Sequence, residues 1–260
     1  MNGRRYGPGP YQFVLLHGGP GAPGSVGTLA DELSKDTSVL EPFQAADSVK
    51  GQIEELGGFI DKYTRLPVII AGHSWGAWLA YLFTAKYPEK VQRLILISSG
   101  PYEEKYASSV MQTRLSRFTR KERILYDQWM LQWDLLGGRG KKLLLKKLGR
   151  LLLKVDGYEL VRKKDRTIDY QPDIFEKVWD QARYLRSSGA LLKEGKKIKC
   201  RVIAIHGDFD PHPWEGVKEP LRKLLSDFEF FLLERCGHEP WLEKRAKGKF
   251  YEILREALFN

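Results

Sequence analysis

The chain has 260 residues, of which 42% are apolar, 12% aromatic and 29% charged. This length and composition fit one large globular unit and exclude a disordered or repetitive chain. No apolar stretch approaches the roughly 20 residues that a membrane-spanning helix needs. No apolar signal region precedes the first predicted strand, so we expect a cytoplasmic protein.

The net charge of +10 is concentrated in the middle of the chain. Residues 103–200 contain 24 Lys and Arg against 13 Asp and Glu, whereas the remainder contains 19 against 20. This asymmetry predicts that the middle segment is a separate structural unit with its own basic surface.

Short apolar runs alternate with amphipathic stretches before and after that segment. The apolar runs predict buried strands at residues 11–16, 37–42, 67–72, 92–98, 201–206 and 228–234. The stretches between them predict helices at residues 26–35, 48–63, 75–87, 215–226 and 241–258. Such alternation is typical of an α/β fold, here with about six parallel strands and helices on both faces of the sheet.

The strand pattern disappears between residues 101 and 199, where basic helices are predicted to break at Gly137, Gly138, Gly140 and Gly157. We therefore expect a core made of residues 1–100 and 200–260, with residues 101–199 inserted as a helical lid. The apolar positions of one predicted helix, among them Leu144 and Leu148, indicate a stripe that packs on the core while its charges face solvent. Peripheral contact of the basic lid with an anionic membrane is the alternative, and nucleic acid is not expected as a partner.

The segment Gly72-His73-Ser74-Trp75-Gly76 lies between a predicted strand and a predicted helix. A serine on such a sharp turn projects its hydroxyl above the sheet, and close backbone packing requires glycine beside it. The helix that follows directs its free N–H groups and positive dipole end toward the serine. The pattern predicts that Ser74 is a nucleophile; a serine that only caps a helix is the alternative.

The glycine-rich loop His17-Gly18-Gly19-Pro20-Gly21 follows an earlier strand. We expect its Gly19 amide and the Trp75 amide to donate to the oxyanion of a tetrahedral intermediate. The loop lacks the Lys-Ser/Thr pair that completes a phosphate-binding P-loop, which argues against nucleotide binding.

A base and an acid are expected after the last two strands, whose carboxyl ends lie at the same edge as Ser74. His238 is the predicted base, and Asp210 is preferred over Asp208 as the acid because it lies farther past its strand and precedes Pro211. The pattern His206-x-Asp208-x-Asp210-x-His212 also suits a metal site, since alternate residues of an extended chain share one face. A serine nucleophile activated by a histidine and an acid needs no metal, and neither metal nor cofactor is expected.

The four segments HGGPG, GHSWG, GDFDP and CGHEPW, in this order, resemble the α/β-hydrolase superfamily. HGGPG and a Trp directly after the serine are similar to the proline iminopeptidase group, which usually has Gly where this chain has His73. The resemblance implies Ser74 as nucleophile, Gly19 and Trp75 as oxyanion donors, Asp210 as acid and His238 as base. The antiparallel hairpin that opens such folds is expected to be absent or reduced.

The predicted reaction is hydrolysis of a small or medium carboxylic ester through an acyl-enzyme on Ser74. A proline iminopeptidase-like aminopeptidase and a catalytically inactive binding protein of the same fold are the alternatives. Substrate contacts are expected from His17 and from three tryptophans of the lid, Trp129, Trp133 and Trp179. The two cysteines, Cys200 and Cys236, fall at opposite ends of neighbouring strands and are expected to be free thiols.

Overall fold

The computed structural model describes residues 2–161 and 168–260, which form a seven-stranded sheet in the order β1-β3-β2-β4-β5-β6-β7. The strands are β1 Asn2–Tyr6, β2 Phe13–Leu16, β3 Val39–Phe43, β4 Val68–His73, β5 Val91–Ile97, β6 Arg201–Gly207 and β7 Phe228–Leu233. Strands β2 to β7 are parallel, which confirms the predicted sheet. Strand β1 pairs antiparallel with β3 at one edge, so the opening hairpin is reduced to one strand.

Helices cover both faces of this sheet. In chain order they are α1 Gly27–Leu33, α2 Val49–Tyr63, α3 Trp75–Lys86, α4 Ala107–Arg117, α5 Arg120–Gln132, α6 Gly138–Asp156, α7 Pro172–Ser187, α8 Ala190–Glu194, α9 Glu215–Leu224 and α10 Lys247–Phe259. Helices α2, α3 and α9 pack in one apolar cluster, and α1 and α10 in another on the opposite face. Helix α3 lies at the centre of the first cluster and is buried almost throughout, since it follows the central strand β4.

Helices α4 to α8 all lie between β5 and β6, and we call this segment, residues 101–199, the insertion. Helix α6 buries Leu144, Leu148 and Leu151 and leaves most of its lysines, such as Lys142 and Lys147, exposed, which confirms the predicted apolar stripe. The predicted helix breaks at Gly138 and Gly140 are wrong, because both glycines lie in the first turn of α6.

The last helix begins at Lys247, not at Trp241 as predicted. A short 3₁₀ turn, Pro240–Leu242, precedes it, and the buried Glu243 then ties this stretch to the insertion. Both cysteines are free. None of the helices in the described ranges is long and apolar enough to cross a membrane.

Candidate active site

Ser74 occupies a strained turn between β4 and α3. Its backbone has φ 55° and ψ −117°, a conformation that costs a non-glycine residue free energy and persists only where the surrounding structure imposes it. Its amide donates to the carbonyl of Ile97 at the end of the neighbouring strand β5, at 3.0 Å. The turn therefore holds the Ser74 side chain above the carboxyl edge of the sheet, as the motif predicted.

Glycine is required on both sides of this turn. A Cβ at Gly72 would overlap the carbonyl of Gly76, and a Cβ at Gly76 would overlap the carbonyls of Leu16 and His17. The backbones of β2, β4 and α3 thus approach more closely here than any side chain allows. This close approach explains why the first and last positions of the G-x-S-x-G pattern are glycine.

Asp210 and His238 meet beyond the ends of β6 and β7. The Nδ1 atom of His238 lies 2.7 Å from Oδ2 of Asp210, whose side chain is fully buried. Burial alone would lower the pKa of His238, but the charge of Asp210 and its hydrogen bond raise that pKa above its ordinary value. An imidazole held in this way presents its other nitrogen for proton transfer.

The neighbouring Asp208 points elsewhere. Its Oδ1 accepts a hydrogen bond from the backbone amide of Cys236 at 3.1 Å, and this bond joins the two loops that follow β6 and β7. Of the two acids that the sequence offered, only Asp210 is hydrogen-bonded to His238 in the structure.

Two further histidines surround the Asp210 carboxylate. His212 donates from both its amide and its Nδ1 to Oδ1 of Asp210, at 2.9 and 2.8 Å, and its ring stacks on that of His238 with centroids 4.5 Å apart. His206 contacts Oδ2 of Asp210 at 3.4 Å and bonds the carbonyl of His212. Burial would raise the pKa of Asp210, but the facing imidazoles of His238, His212 and His206 hold it well below its usual range.

The four residues of the possible metal pattern do not converge as one ligand set. Asp208 and His206 bond backbone groups, as described above, whereas Asp210, His212 and His238 bring one ligand atom each within 4.8 Å of one another. The two Nδ1 atoms of these histidines lie at hydrogen-bond distance from different oxygens of Asp210. Burial lowers the pKa of His212 to about 4, against the opposing charge of Asp210, so its ring is neutral at neutral pH. The geometry is that of a hydrogen-bonded cluster centred on one carboxylate.

The two predicted oxyanion donors lie beside Ser74. Gly19, with φ 54°, follows the end of β2 and lines the same cavities as Ser74. Trp75 is the first residue of α3, where an amide N–H has no carbonyl partner within its own helix. A Cβ at the adjacent Gly18 would overlap the ring of His73, so this loop packs tightly against the serine turn.

The insertion is clamped to the loop that carries His238. The carbonyl of Asp156, the last residue of α6, accepts the amide of His238 at 3.0 Å, and its carboxylate forms a bidentate ion pair with Arg114 of α4. The buried carboxylate of Glu243 accepts three amides at 2.8 Å, from Gly237, Tyr158 and Glu159. The amides of Tyr158 and Glu159 belong to the insertion, and that of Gly237 precedes His238. Sequence reasoning missed this clamp.

Two cavities meet at Ser74, and they differ in character. The larger, about 1060 Å³, lies between the sheet edge and the insertion and is lined mainly by apolar side chains, among them Trp75, Trp78, Met111, Leu148 and Phe175. Its charged lining is balanced, with three arginines, Arg114, Arg183 and Arg186, against three acids, Asp134, Glu176 and Asp180. The smaller, about 580 Å³, includes His238 and three cationic side chains, Arg114, Lys146 and Arg150. Ser74, Gly19 and Arg114 line both cavities. A reacting group at Ser74 therefore has an apolar space on one side and a more polar one beside His238.

Of the four side chains predicted to contact substrate, the structure places two on the larger cavity. Trp133 and Trp179 line it, and Trp179 stacks on Trp78 with the rings nearly parallel. Trp129 lies away from both cavities, near Lys147. His17 is fully buried, and its Nε2 accepts the amide of Gln44 at 3.4 Å, so it supports the glycine-rich loop instead of facing the cavity. The positions of His17 and Trp129 do not support the prediction that they contact substrate.

Residues 44–245 match the family model described as serine aminopeptidase, S33, one of the α/β hydrolases. The chain belongs to this family. The match spans the serine turn, the insertion and the loops of Asp210 and His238. It does not single out the proline iminopeptidase group, which stays a prediction.

A stretch of 42 residues is 48% identical to VTE7, an α/β-hydrolase domain-containing protein of Arabidopsis thaliana. The matched stretch covers 16% of this chain and only 13% of that protein. So short a match carries no conclusion about the activity of the whole protein.

Several solved structures share the fold over nearly the whole chain. VinJ superposes with a TM-score of 0.70 at 16% identity, covering 98% of this chain and 93% of that one. A monoacylglycerol lipase of Paleococcus ferrophilus superposes with 0.61 at 17% identity, covering 99% and 98%. A structure from a study of carboxylesterases of Nitrososphaera gargenis gives 0.65 at 17% identity, covering 98% and 92%. At these identities the likeness shows a common fold, which confirms the α/β-hydrolase expectation.

Proposed function

We propose that this α/β hydrolase cleaves a carboxylic ester through an acyl-enzyme on Ser74. The observation that carries the proposal is a strained serine opening into the cavity that also contains His238, with His238 bonded to the buried Asp210. Ser74, Asp210 and His238 follow β4, β6 and β7, the chain order and strand ends typical of α/β hydrolases, which supports their proposed roles as nucleophile, acid and base.

In the proposed reaction, His238 takes the Ser74 proton while Oγ attacks the ester carbonyl. The amides of Gly19 and Trp75 stabilise the oxyanion, and His238 then protonates the leaving alcohol as the carbon–oxygen bond breaks. His238 next takes a proton from water as the water oxygen attacks the acyl carbon. It returns that proton to Ser74 Oγ as the acyl–Oγ bond breaks and the acid leaves. Asp210 stays ionised throughout and stabilises the imidazolium that forms in each step.

The two cavities suggest how the ester lies in the site. Since the leaving alcohol receives its proton from His238, it belongs in the smaller cavity, which contains His238. The acyl group then extends into the larger cavity, whose tryptophans and leucines favour an apolar chain. We therefore propose residues 101–199 as the lid that selects the acyl group.

The family description makes an aminopeptidase the second candidate. Such an enzyme must neutralise a substrate ammonium, and the guanidinium of Arg114, which lines both cavities, works against this. Asp156, Glu176 and Asp180, which line one or the other cavity, already pair with Arg114, Lys141 and Arg183. Asp134 also lines the larger cavity and is the carboxylate that a substrate ammonium would have to use. The charge of the site thus favours an ester over an amino-terminal peptide.

A turnover panel of p-nitrophenyl esters beside prolyl-naphthylamide tests this choice. We expect ester hydrolysis that is absent from the Ser74→Ala protein, and labelling of Ser74 by a fluorophosphonate probe. Hydrolysis of the amide and not of the esters would replace our proposal by the aminopeptidase. Absence of both activities and of probe labelling would favour an inactive binding protein.

A further inference from the structure

Exposed apolar side chains are concentrated on one part of the insertion. Eleven large hydrophobic residues are exposed in the part of the chain that the structure describes, and six of them fall between residues 124 and 143. These six lie in α5, in the 3₁₀ turn Trp133–Leu135 that follows it, and in the first part of α6. The most exposed are Leu131, Leu135 and Leu143, at 79%, 84% and 60%. We call the exposed residues Ile124, Leu125, Leu131, Leu135 and Leu143 the tip. Apolar exposure on this scale within one short segment is typical of a contact surface.

The tip is surrounded by positive charge. Residues 120–150 contain nine Lys and Arg against three Asp and Glu. Among the described residues, Arg120, Lys121 and Arg139 have no carboxylate partner within 4 Å. No acid among the described residues therefore neutralises their charge.

The same segment forms part of the wall of the larger cavity. Tyr126, Met130 and Trp133 line that cavity. The exposed Leu131 directly follows Met130 in the sequence, and the exposed Leu135 comes two residues after Trp133. The tip therefore belongs to the same short segment that forms part of the wall of the proposed acyl site.

We propose that the tip docks on an anionic lipid surface. Leucines enter the boundary between headgroups and acyl chains, and the surrounding lysines and arginines are attracted to anionic headgroups. A second copy of this chain fits less well, because docking tip to tip would bring two basic surfaces together. Docking does not depend on catalysis, but the benefit of delivering a lipid ester to Ser74 rests on the proposed function.

Vesicle sedimentation with the full-length Ser74→Ala protein tests the docking without turnover. The protein is mixed with vesicles of phosphatidylcholine alone or with added phosphatidylglycerol. We expect sedimentation with the anionic vesicles, and weaker sedimentation as salt screens the headgroups. Substituting Leu131→Ser, Leu135→Ser and Leu143→Ser together should reduce the partition coefficient by about 100-fold, since each substitution removes an apolar side chain that the lipid surface would bury.

A matched variant carries Leu66→Ser, Leu232→Ser and Phe259→Ser, which remove exposed apolar side chains far from the tip in sequence. It should sediment like the parent protein. Equal sedimentation of the two variants, or no preference for anionic vesicles, would overturn the proposal, as would a tip variant that only converts a dimer to a monomer.

Turnover of a water-soluble ester separates this inference from the proposed function. With Ser74 intact, the tip variant should keep its activity on that ester, because none of its three leucines lines either cavity. If the parent protein turns over the ester but does not bind vesicles, the docking proposal is wrong and the proposed ester hydrolysis stands. Vesicle binding without turnover in any variant would leave docking standing and contradict ester hydrolysis.

Discussion

The sheet and the insertion hold the candidate site by different means. Residues of the core take their positions from strand ends: Ser74 follows β4, Asp210 follows β6 and His238 follows β7. Residues of the insertion contact the site through side chains and through single hydrogen bonds, such as the one that the His238 amide donates to the Asp156 carbonyl. The insertion therefore does more than cover the site, because it also holds the loop of the proposed base. The predictions below test that division from the largest expected effect to the smallest.

Removal of the nucleophile should have the largest effect. In Ser74→Ala the proposed acyl-enzyme cannot form, and we expect kcat for a p-nitrophenyl ester to fall by about 10⁶-fold. Turnover and fluorophosphonate labelling measure the loss, with circular dichroism as a check on folding. Activity close to that of the parent protein would mean that the site lies elsewhere.

Exchange of the two neighbouring acids should separate their roles. Asp210→Asn leaves His238 without its carboxylate, and we expect kcat to fall by about 10⁴-fold. Asp208→Asn keeps a side-chain oxygen for the Cys236 amide and should change kcat by only a few-fold. The reverse ranking in steady-state kinetics would contradict the geometry.

Weakening the clamp should reduce both stability and turnover. In Glu243→Gln the side-chain nitrogen of the glutamine cannot accept a hydrogen bond, so at least one of the three backbone amides loses its partner. We expect the free energy of unfolding to fall by about 1–3 kcal/mol. Because the His238 loop loosens, we expect a fall in kcat of about tenfold with little change in KM.

Denaturant unfolding and steady-state kinetics measure the two effects of this change. The matched control is Glu159→Gln, which alters an exposed carboxylate paired with Lys244 and Arg245. A loss of stability with unchanged kcat would show that the clamp does not position His238.

The pH dependence of kcat/KM should report the pairing of His238 with Asp210. The proposed base acts as the neutral imidazole, so activity falls about tenfold per pH unit below its pKa. Asp210 raises that pKa above the ordinary 6.5, and activity should therefore be lost at a higher pH than for an unpaired histidine. An acidic limb below pH 6.5 in the kcat/KM profile would contradict the raised pKa.

The smallest effect is expected from two tryptophans of the insertion. Trp133→Leu removes part of the wall of the larger cavity and should lower kcat/KM for long acyl esters by a few-fold relative to acetate. Trp129→Leu changes a side chain outside both cavities and should leave this ratio unchanged. Equal effects of the two substitutions across a series of chain lengths would argue against the acyl assignment.

Much of the site could be predicted because its signals are local. The glycines around Ser74 are required by close packing of the backbone itself, so they appear as a short motif. The carboxyl ends of parallel strands meet at one edge, and this rule predicts that His238 and the two acids lie near Ser74.

Asp208 and Asp210 lie in one turn and differ mainly in where their side chains point, and that direction depends on contacts that are distant in the sequence. The hydrogen bond from Cys236 to Asp208 joins residues 28 positions apart and leaves no trace in the local pattern. The same holds for His212, considered from the sequence only as a possible metal ligand, and for His17, whose burial depends on Phe43 and Gln44.

The sequence by itself determined the order of strands and helices, the strained serine and the set of residues at the carboxyl edge, since each depends on neighbours along the chain. Tertiary structure alone decided which acid bonds His238, which aromatic side chains line the cavity and how α6 is clamped to the base. Those contacts join residues tens of positions apart, as Glu243 does with Tyr158, and only the packing of the insertion on the core brings them together.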